Sequence, residues 1–145
     1  MLPAATNKSE SSRGTILIVD DAMDMRVFIS ALFKTNGYHT ETCRDGSAGL
    51  AKAREIAPDL IVLDVMMPGS GGALMYKSLK TDRQLQKIPI IMLSAVGHRS
   101  FQHYLKMLNI KLVEPLPDPD DYLEKPPDAQ QLLDTAIRLM ASRKE

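Results

Sequence analysis

The sequence predicts an α/β fold: a doubly wound, five-stranded parallel sheet with a helix after each strand, in a single domain. Three observations carry that prediction. Apolar runs rich in Ile, Val and Leu recur along the chain as TILIVD from Thr15 to Asp20, DLIVLD from Asp59 to Asp64 and IPIIMLS from Ile88 to Ser94. Such continuous runs suit strands buried on both faces. The segments between them carry apolar residues at helical spacing, and a strand-then-helix unit repeated five times gives parallel strands covered on both sides, because the crossovers are right-handed. With 145 residues, 44% of them hydrophobic, the chain has material for one core and too little for two ordinary domains.

Taken in order, Met1 to Gly14 (MLPAATNKSESSRG) mixes small and polar residues without period and cannot bury enough surface to offset its ordering entropy. Residues 1–14 are therefore expected to be a disordered tail, with the domain occupying 15–145. After the first strand, Val27, Phe28, Ala31 and Leu32 mark a helix from Ala22 to Asn36, stopped by Asn36-Gly37. A strand from Tyr38 to Thr42 follows, then a helix from Ser47 to Ala57 with Leu50, Ala53 and Ala57 on one face, ended by Pro58. The strand ending at Asp64 leads through MMPGSGG, Met66 to Gly72, into a helix from Ala73 to about Thr81. Beyond the strand ending at Ser94, Phe101, Tyr104, Leu105 and Leu108 form one helical stripe. Asp121 to Lys125 is a short strand, and Leu132, Leu133, Ala136, Ile137 and Met140 define the last helix, with Asp128 as its cap.

Composition narrows the function. Eighteen basic residues balance eighteen acidic ones, so no net field holds nucleic acid or an anionic membrane surface, and neither is expected as a partner. A single cysteine, Cys43, excludes an internal disulfide and a thiolate zinc cluster, which fits a reducing cytoplasm. No apolar run approaches membrane-spanning length.

The chemistry lies at the strand ends. Parallel strands deliver their C-terminal residues to one edge, where open α/β sheets bind ligands. Here that edge receives Asp20 and Asp21 from the first strand, Asp64 from the third, Ser94 from the fourth and Lys125 from the fifth. Three converging carboxylates repel one another unless a hard, oxygen-preferring divalent cation neutralises them, which points to Mg2+. Magnesium characteristically bridges carboxylates to a phosphate, and one carboxylate can then attack phosphorus while Lys125 supplies charge and Ser94 a hydrogen bond. Each residue alone has a plainer explanation: Asp64 as a turn acid, Ser94 as a turn hydroxyl, Lys125 as a solvated charge. Their common edge is what promotes them. His39, His98 and His103 lack metal-site spacing and are given no chemistry. Gly69, Gly71 and Gly72 match no phosphate-loop fingerprint and are read as shaping the turn beside Asp64.

At these residues the chain resembles the receiver domains of two-component response regulators, over nearly all of Thr15 to Met140. The resemblance rests on the acidic pair in LIVDD, on DLIVLDVMMPGSGG, on Ser94-Ala95 and on Lys125-Pro126. It implies a flavodoxin-like (βα)5 topology and a phosphoacceptor at Asp64. Asp21 and Asp64 would bind Mg2+ directly, Asp20 through water, and the Met66 carbonyl would complete the protein ligands. Ser94 and Tyr122 would form the switch, reading out on the face around the fourth helix, fifth strand and last helix, and the Lys125-Pro126 peptide would be cis. Apart from its own phosphorylation and dephosphorylation, no catalysis is implied. The implied partners are a sensor histidine kinase or phosphotransfer protein and an unspecified downstream protein.

Two departures stand out. From Ser94 to Lys125 the chain exceeds the family's usual spacing by about two helical turns' worth of residues. The excess lies near Asn109 to Asp120, where Pro115, Pro117 and Pro119 forbid regular helix. Met66 and Val96, two residues after Asp64 and Ser94, are apolar at positions that in receivers tune the lifetime of the acyl phosphate, so slow decay is expected. Three functions stay open: a stand-alone receiver, a receiver belonging to a larger regulator or hybrid kinase, and a haloacid-dehalogenase-type phosphatase. The last would place a DxD nucleophile on the first strand, where this chain has Asp20-Asp21-Ala22.

Overall fold

The computed structural model describes residues 12–65, 67, 71–95 and 117–144. Five strands, β1 (Thr15–Val19), β2 (His39–Cys43), β3 (Leu60–Asp64), β4 (Ile90–Ser94) and β5 (Asp121–Glu124), form one parallel sheet in the order β2-β1-β3-β4-β5. The described helices are α1 (Met23–Thr35), α2 (Gly46–Ile56), α3 (Gly71–Thr81) and α4 (Ala129–Lys144). The doubly wound parallel sheet is the predicted architecture. The stripe Phe101 to Leu108 and most of the segment 109–120 lie outside the described residues.

Strand alternation divides the core into two layers. Leu17, Val19, Ile61, Leu63 and Met92 pack with Ala53 of α2 and Met75, Tyr76 and Leu79 of α3. Ile16, Ile18, Leu60, Val62, Ile91 and Leu93 pack on the other side with Ile29 and Phe33 of α1 and Leu132 and Ala136 of α4. The three apolar runs occupy the sheet centre, where β3 and β4 are buried throughout. The polar strands β2 (HTETC) and β5 (DYLE) form the edges, each paired on one side.

Boundaries differ from the sequence pattern where side chains take over backbone duties. Asp59 precedes β3 instead of opening it, because its Oδ2 accepts from Thr15 N at 2.8 Å and closes the lower end of the sheet. β4 likewise starts at Ile90, whose N–H donates to Asp120 Oδ2 at 2.8 Å. Two caps follow the usual rule: Asp45 Oδ1 accepts from Ala48 N on α2, and Asp128 Oδ2 from Gln131 N on α4, both at 2.8 Å. Residues 12–14, the end of the expected tail, are tied down: Arg13 N donates to Gly37 O at 2.8 Å and its guanidinium covers the Tyr38 ring at 4.8 Å.

α3 begins two residues before the predicted start, within the glycines assigned to a turn. Gly72 lets the helix abut the end of β3, since a Cβ there would lie 2.3 Å from Asp64 O and 2.7 Å from Val65 Cα. Both neighbours are main chain and cannot yield. Gly72→Ala is therefore expected to cost about 2 kcal/mol or more in urea denaturation. Gly71→Ala, whose Cβ would meet nothing nearer than 3.7 Å, should stay within about 0.5 kcal/mol of wild type.

Candidate phosphoacceptor site

Register brings the acids together. Val19 pairs with Leu63, so one step further Asp20 and Asp64 fall level on adjacent strands. The ladder continues past the strands to hold this edge: Asp20 N donates to Cys43 O (3.1 Å), Val65 N to Leu93 O (3.0 Å) and Lys125 N to Ser94 O (2.8 Å). Carboxylate oxygens of Asp20, Asp21 and Asp64 all lie within 4.8 Å of one another. Asp20 and Asp64 are 1% and 2% exposed, whereas Asp21 faces solvent.

Lys125 follows β5 and reaches over the end of β4 to place its ammonium 2.8 Å from Asp20 Oδ2 and 3.2 Å from Asp64 Oδ2. The Lys125-Pro126 peptide is cis, as the resemblance implied. Asp20 Oδ1 accepts from Ala22 N at 2.9 Å, while its enclosed Oδ2 takes no aligned hydrogen bond and meets Lys125 as an ion-pair contact. Burial pulls the Lys125 pKa down, but the close approach of Asp20 and the negative charges of Asp64 and Asp20 outweigh it, leaving the group above its ordinary value.

Three carboxylates against one ammonium leave two negative charges, which a divalent cation would balance. An all-oxygen donor set and an enclosed carboxylate oxygen without an aligned partner fit a hard cation such as Mg2+. Met66, whose carbonyl the resemblance adds to the ligands, lies outside the described residues, as does Val96.

Ser94 is fully buried at the end of β4, and its hydroxyl interacts with the Tyr122 phenol. Burial raises the Tyr122 pKa, the Ser94 hydroxyl lowers it, and Glu124 raises it again, for a net upward shift. By alternation this pair belongs to the α2/α3 side of the sheet, while Asp20, Asp64 and Lys125 continue the α1/α4 side. The sequence reading missed Arg26, whose Nη1 donates to Asp20 O at 2.8 Å. The available signal was Ala22, an N-cap residue without a side-chain acceptor, which leaves the turn before α1 to be braced by something else.

Residues 16–137 match the family described as the response regulator receiver domain. Hybrid signal transduction histidine kinase D of Dictyostelium discoideum is 36% identical over 129 residues, covering 89% of this chain and 8% of that protein. Protein PilH of Pseudomonas aeruginosa is 29% identical over 126 residues, 87% of this chain and 97% of its own length. The Vibrio cholerae chemotaxis protein CheY4, crystallised at low pH, superposes with a TM-score of 0.73 at 30% identity, over 86% of this chain and 97% of that one. The chain thus spans a small fraction of one relative and nearly all of the other two. It belongs to the response regulator receiver domain family. Receiver domains are signalling domains that interact with histidine kinases or phosphotransfer proteins, and the match does not favour the phosphatase alternative. Among the described residues, no helix is long and apolar enough to cross a membrane.

The Lys125 bridge has a measurable signature. In chelator at neutral pH, Lys125→Met leaves two buried carboxylates without their cation and is expected to cost about 3 kcal/mol. A lysine raised on folding contributes fully below its unfolded value of about 10.4, and that contribution is lost as pH rises through the folded value. The stability gap between wild type and Lys125→Met should therefore hold steady up to about pH 10 and narrow above it in pH-dependent urea titrations.

Proposed function

We propose that Asp64 is the phosphoacceptor of a Mg2+-dependent cytoplasmic signalling switch, in the domain spanning 15–145. The observation that carries this reading is the Lys125 ammonium set between Asp20 and Asp64, 2.8 and 3.2 Å away, beside the exposed Asp21. Asp21 and Asp64 would hold Mg2+ directly and Asp20 through water, with the Met66 carbonyl completing the protein ligands. When bound, the ion supplies charge neutralisation for the oxygens of the incoming phosphoryl group.

The donor is a phosphohistidine on a sensor histidine kinase or phosphotransfer protein. An Asp64 carboxylate oxygen attacks phosphorus in line, the new P–O bond forms as the P–N bond breaks, and the electron pair departs with the imidazole nitrogen. Lys125, already at Asp64, shifts its ion pair toward the phosphoryl oxygens, and the Ser94 hydroxyl donates to one of them. Return to the resting state is attack of water on phosphorus, which releases phosphate and regenerates the Asp64 carboxylate. Ser94 and Tyr122, which interact with each other, form the switch: movement of Ser94 toward the phosphoryl group frees Tyr122 to reorient. The readout is a protein contact on the face around β5 and its flanking helices, to a downstream protein.

Incubation with acetyl phosphate should add one phosphoryl group by intact-protein mass spectrometry, in Mg2+ and not in chelator, and Asp64→Asn should abolish it. Labelling that survives in Asp64→Asn would move the acceptor elsewhere. Decay should be slow in wild type and at least several-fold faster in the Met66→Asn, Val96→Glu double variant, which places polar groups where water must be oriented. Slower decay in the double variant would refute the role assigned to these two residues.

A further inference from the structure

We infer that Arg26 is a positioning residue for the acidic turn, setting the place of Asp21 and thereby the cation affinity of the site; this rests on the Mg2+ reading above. The turn Asp20-Asp21-Ala22 joins β1 to α1. Its entry is fixed by the bond from Asp20 N to Cys43 O, and the Asp20 side chain folds back onto Ala22 N. The next peptide unit, whose carbonyl belongs to Asp20 and whose nitrogen belongs to Asp21, is gripped by Arg26 Nη1 at 2.8 Å in a partly buried bond.

That grip falls where the turn is otherwise weakest. α1 starts at the uncapped Ala22, and the first helical bond, Arg26 N to Ala22 O at 3.1 Å, involves the same residue whose side chain reaches back. Asp20 and Asp64 are held by burial, but Asp21 is exposed and has no such constraint, so the orientation of its backbone governs where its carboxylate stands. Among the described residues Arg26 makes no carboxylate ion pair, although three carboxylates cluster beside it. A guanidinium paired to one of them would compete with a metal ion. Bound to a main-chain carbonyl, it stiffens the turn and leaves all three carboxylates available.

This role opposes simple electrostatics, which makes it testable by sign. Deleting a positive charge near a cation site should tighten Mg2+ binding, whereas deleting a brace should weaken it. Removing an outer-shell partner of a metal ligand typically costs about 10- to 100-fold in affinity. Isothermal titration of Mg2+ into the full chain would compare wild type, Arg26→Met, Arg26→Lys and Lys34→Ala. Arg26→Met keeps the apolar stem and loses the donor, and it is expected to bind about tenfold more weakly. Arg26→Lys retains one donor to the Asp20 carbonyl and should recover most of the affinity. Lys34→Ala removes the same charge from the same helix and should not weaken binding. In metal-free protein the Asp21 amide resonance should move in Arg26→Met and stay in place in Lys34→Ala, a local readout that global stability would not shift. Wild-type affinity or tighter binding in Arg26→Met overturns the inference while leaving the magnesium site standing. Absence of Mg2+ binding by the wild type overturns both. Should Arg26→Met fail to fold, Arg26→Gln takes its place, since it also removes the charge and shortens the reach to the Asp20 carbonyl, and wild-type affinity or tighter binding there overturns the inference in the same way.

Discussion

A lysine ammonium wedged between two buried carboxylates organises this molecule. Asp20 and Asp64 sit on neighbouring strands, whose spacing is roughly 4.8 Å. Two charges that close repel by about 3 to 4 kcal/mol at the effective dielectric of a protein site. Nothing in the apolar layers beneath them offsets that term. Lys125 does, and it comes from a strand that touches neither β1 nor β3. The sheet order β2-β1-β3-β4-β5 is thus a condition of this charge cluster: it makes the two acids neighbours and leaves β4 as the strand a lysine stem must cross to reach Asp64. The extra main-chain bond at Lys125 N, to Ser94 O, fixes the base of that stem.

What the sequence shows clearly is what burial and charge write into it. The runs LIV in β1, LIVL in β3 and IIML in β4 announce fully buried strands, and acids or a lysine just beyond such runs announce a functional edge. Polar edge strands are harder to read, because HTETC and DYLE owe their conformation to a neighbour's ladder rather than to their own residues. Strand starts moved where Asp59 and Asp120 replace a backbone partner with a carboxylate. Arg26 was illegible for a related reason. Its partner is a main-chain carbonyl, which every residue carries, so no residue pattern marks the contact.

The proline-spaced stretch before β5 shows how a departure from the family pattern is accommodated. Pro117 and Pro119 offer carbonyls and no N–H, so the segment cannot extend a ladder and must be fastened through acceptors and side chains. Tyr76, wholly buried on α3, donates its hydroxyl to Pro117 O. One turn later Lys80 faces Asp120 at 3.8 Å, and Asp120 in turn holds the first N–H of β4. Burial pushes the Tyr76 phenol well above its usual range, with Asp120 and Asp118 adding to the effect. Burial also lowers Lys80, against the pull of Asp120. Gly72, Tyr76 and Lys80 recur every four residues, so one stripe of α3 touches the Asp64 main chain at its start and clamps this segment further along.

Strand alternation then separates two groups of side chains that share an edge. The charged group of Asp20, Asp64 and Lys125 continues the α1/α4 side, whereas the Ser94–Tyr122 pair continues the side covered by α2 and α3. Tyr122 packs against the same cluster as Tyr76 and Leu79. Tyr122, which interacts with Ser94, packs half-buried on the cluster that contains Tyr76, so any rotation of its ring would have to repack against that cluster. Close-packed cores answer such a push by changing packing rather than by yielding smoothly. The side of the sheet that bears Ser94 and Tyr122 is therefore also the side on which α3 holds Pro117, through Tyr76.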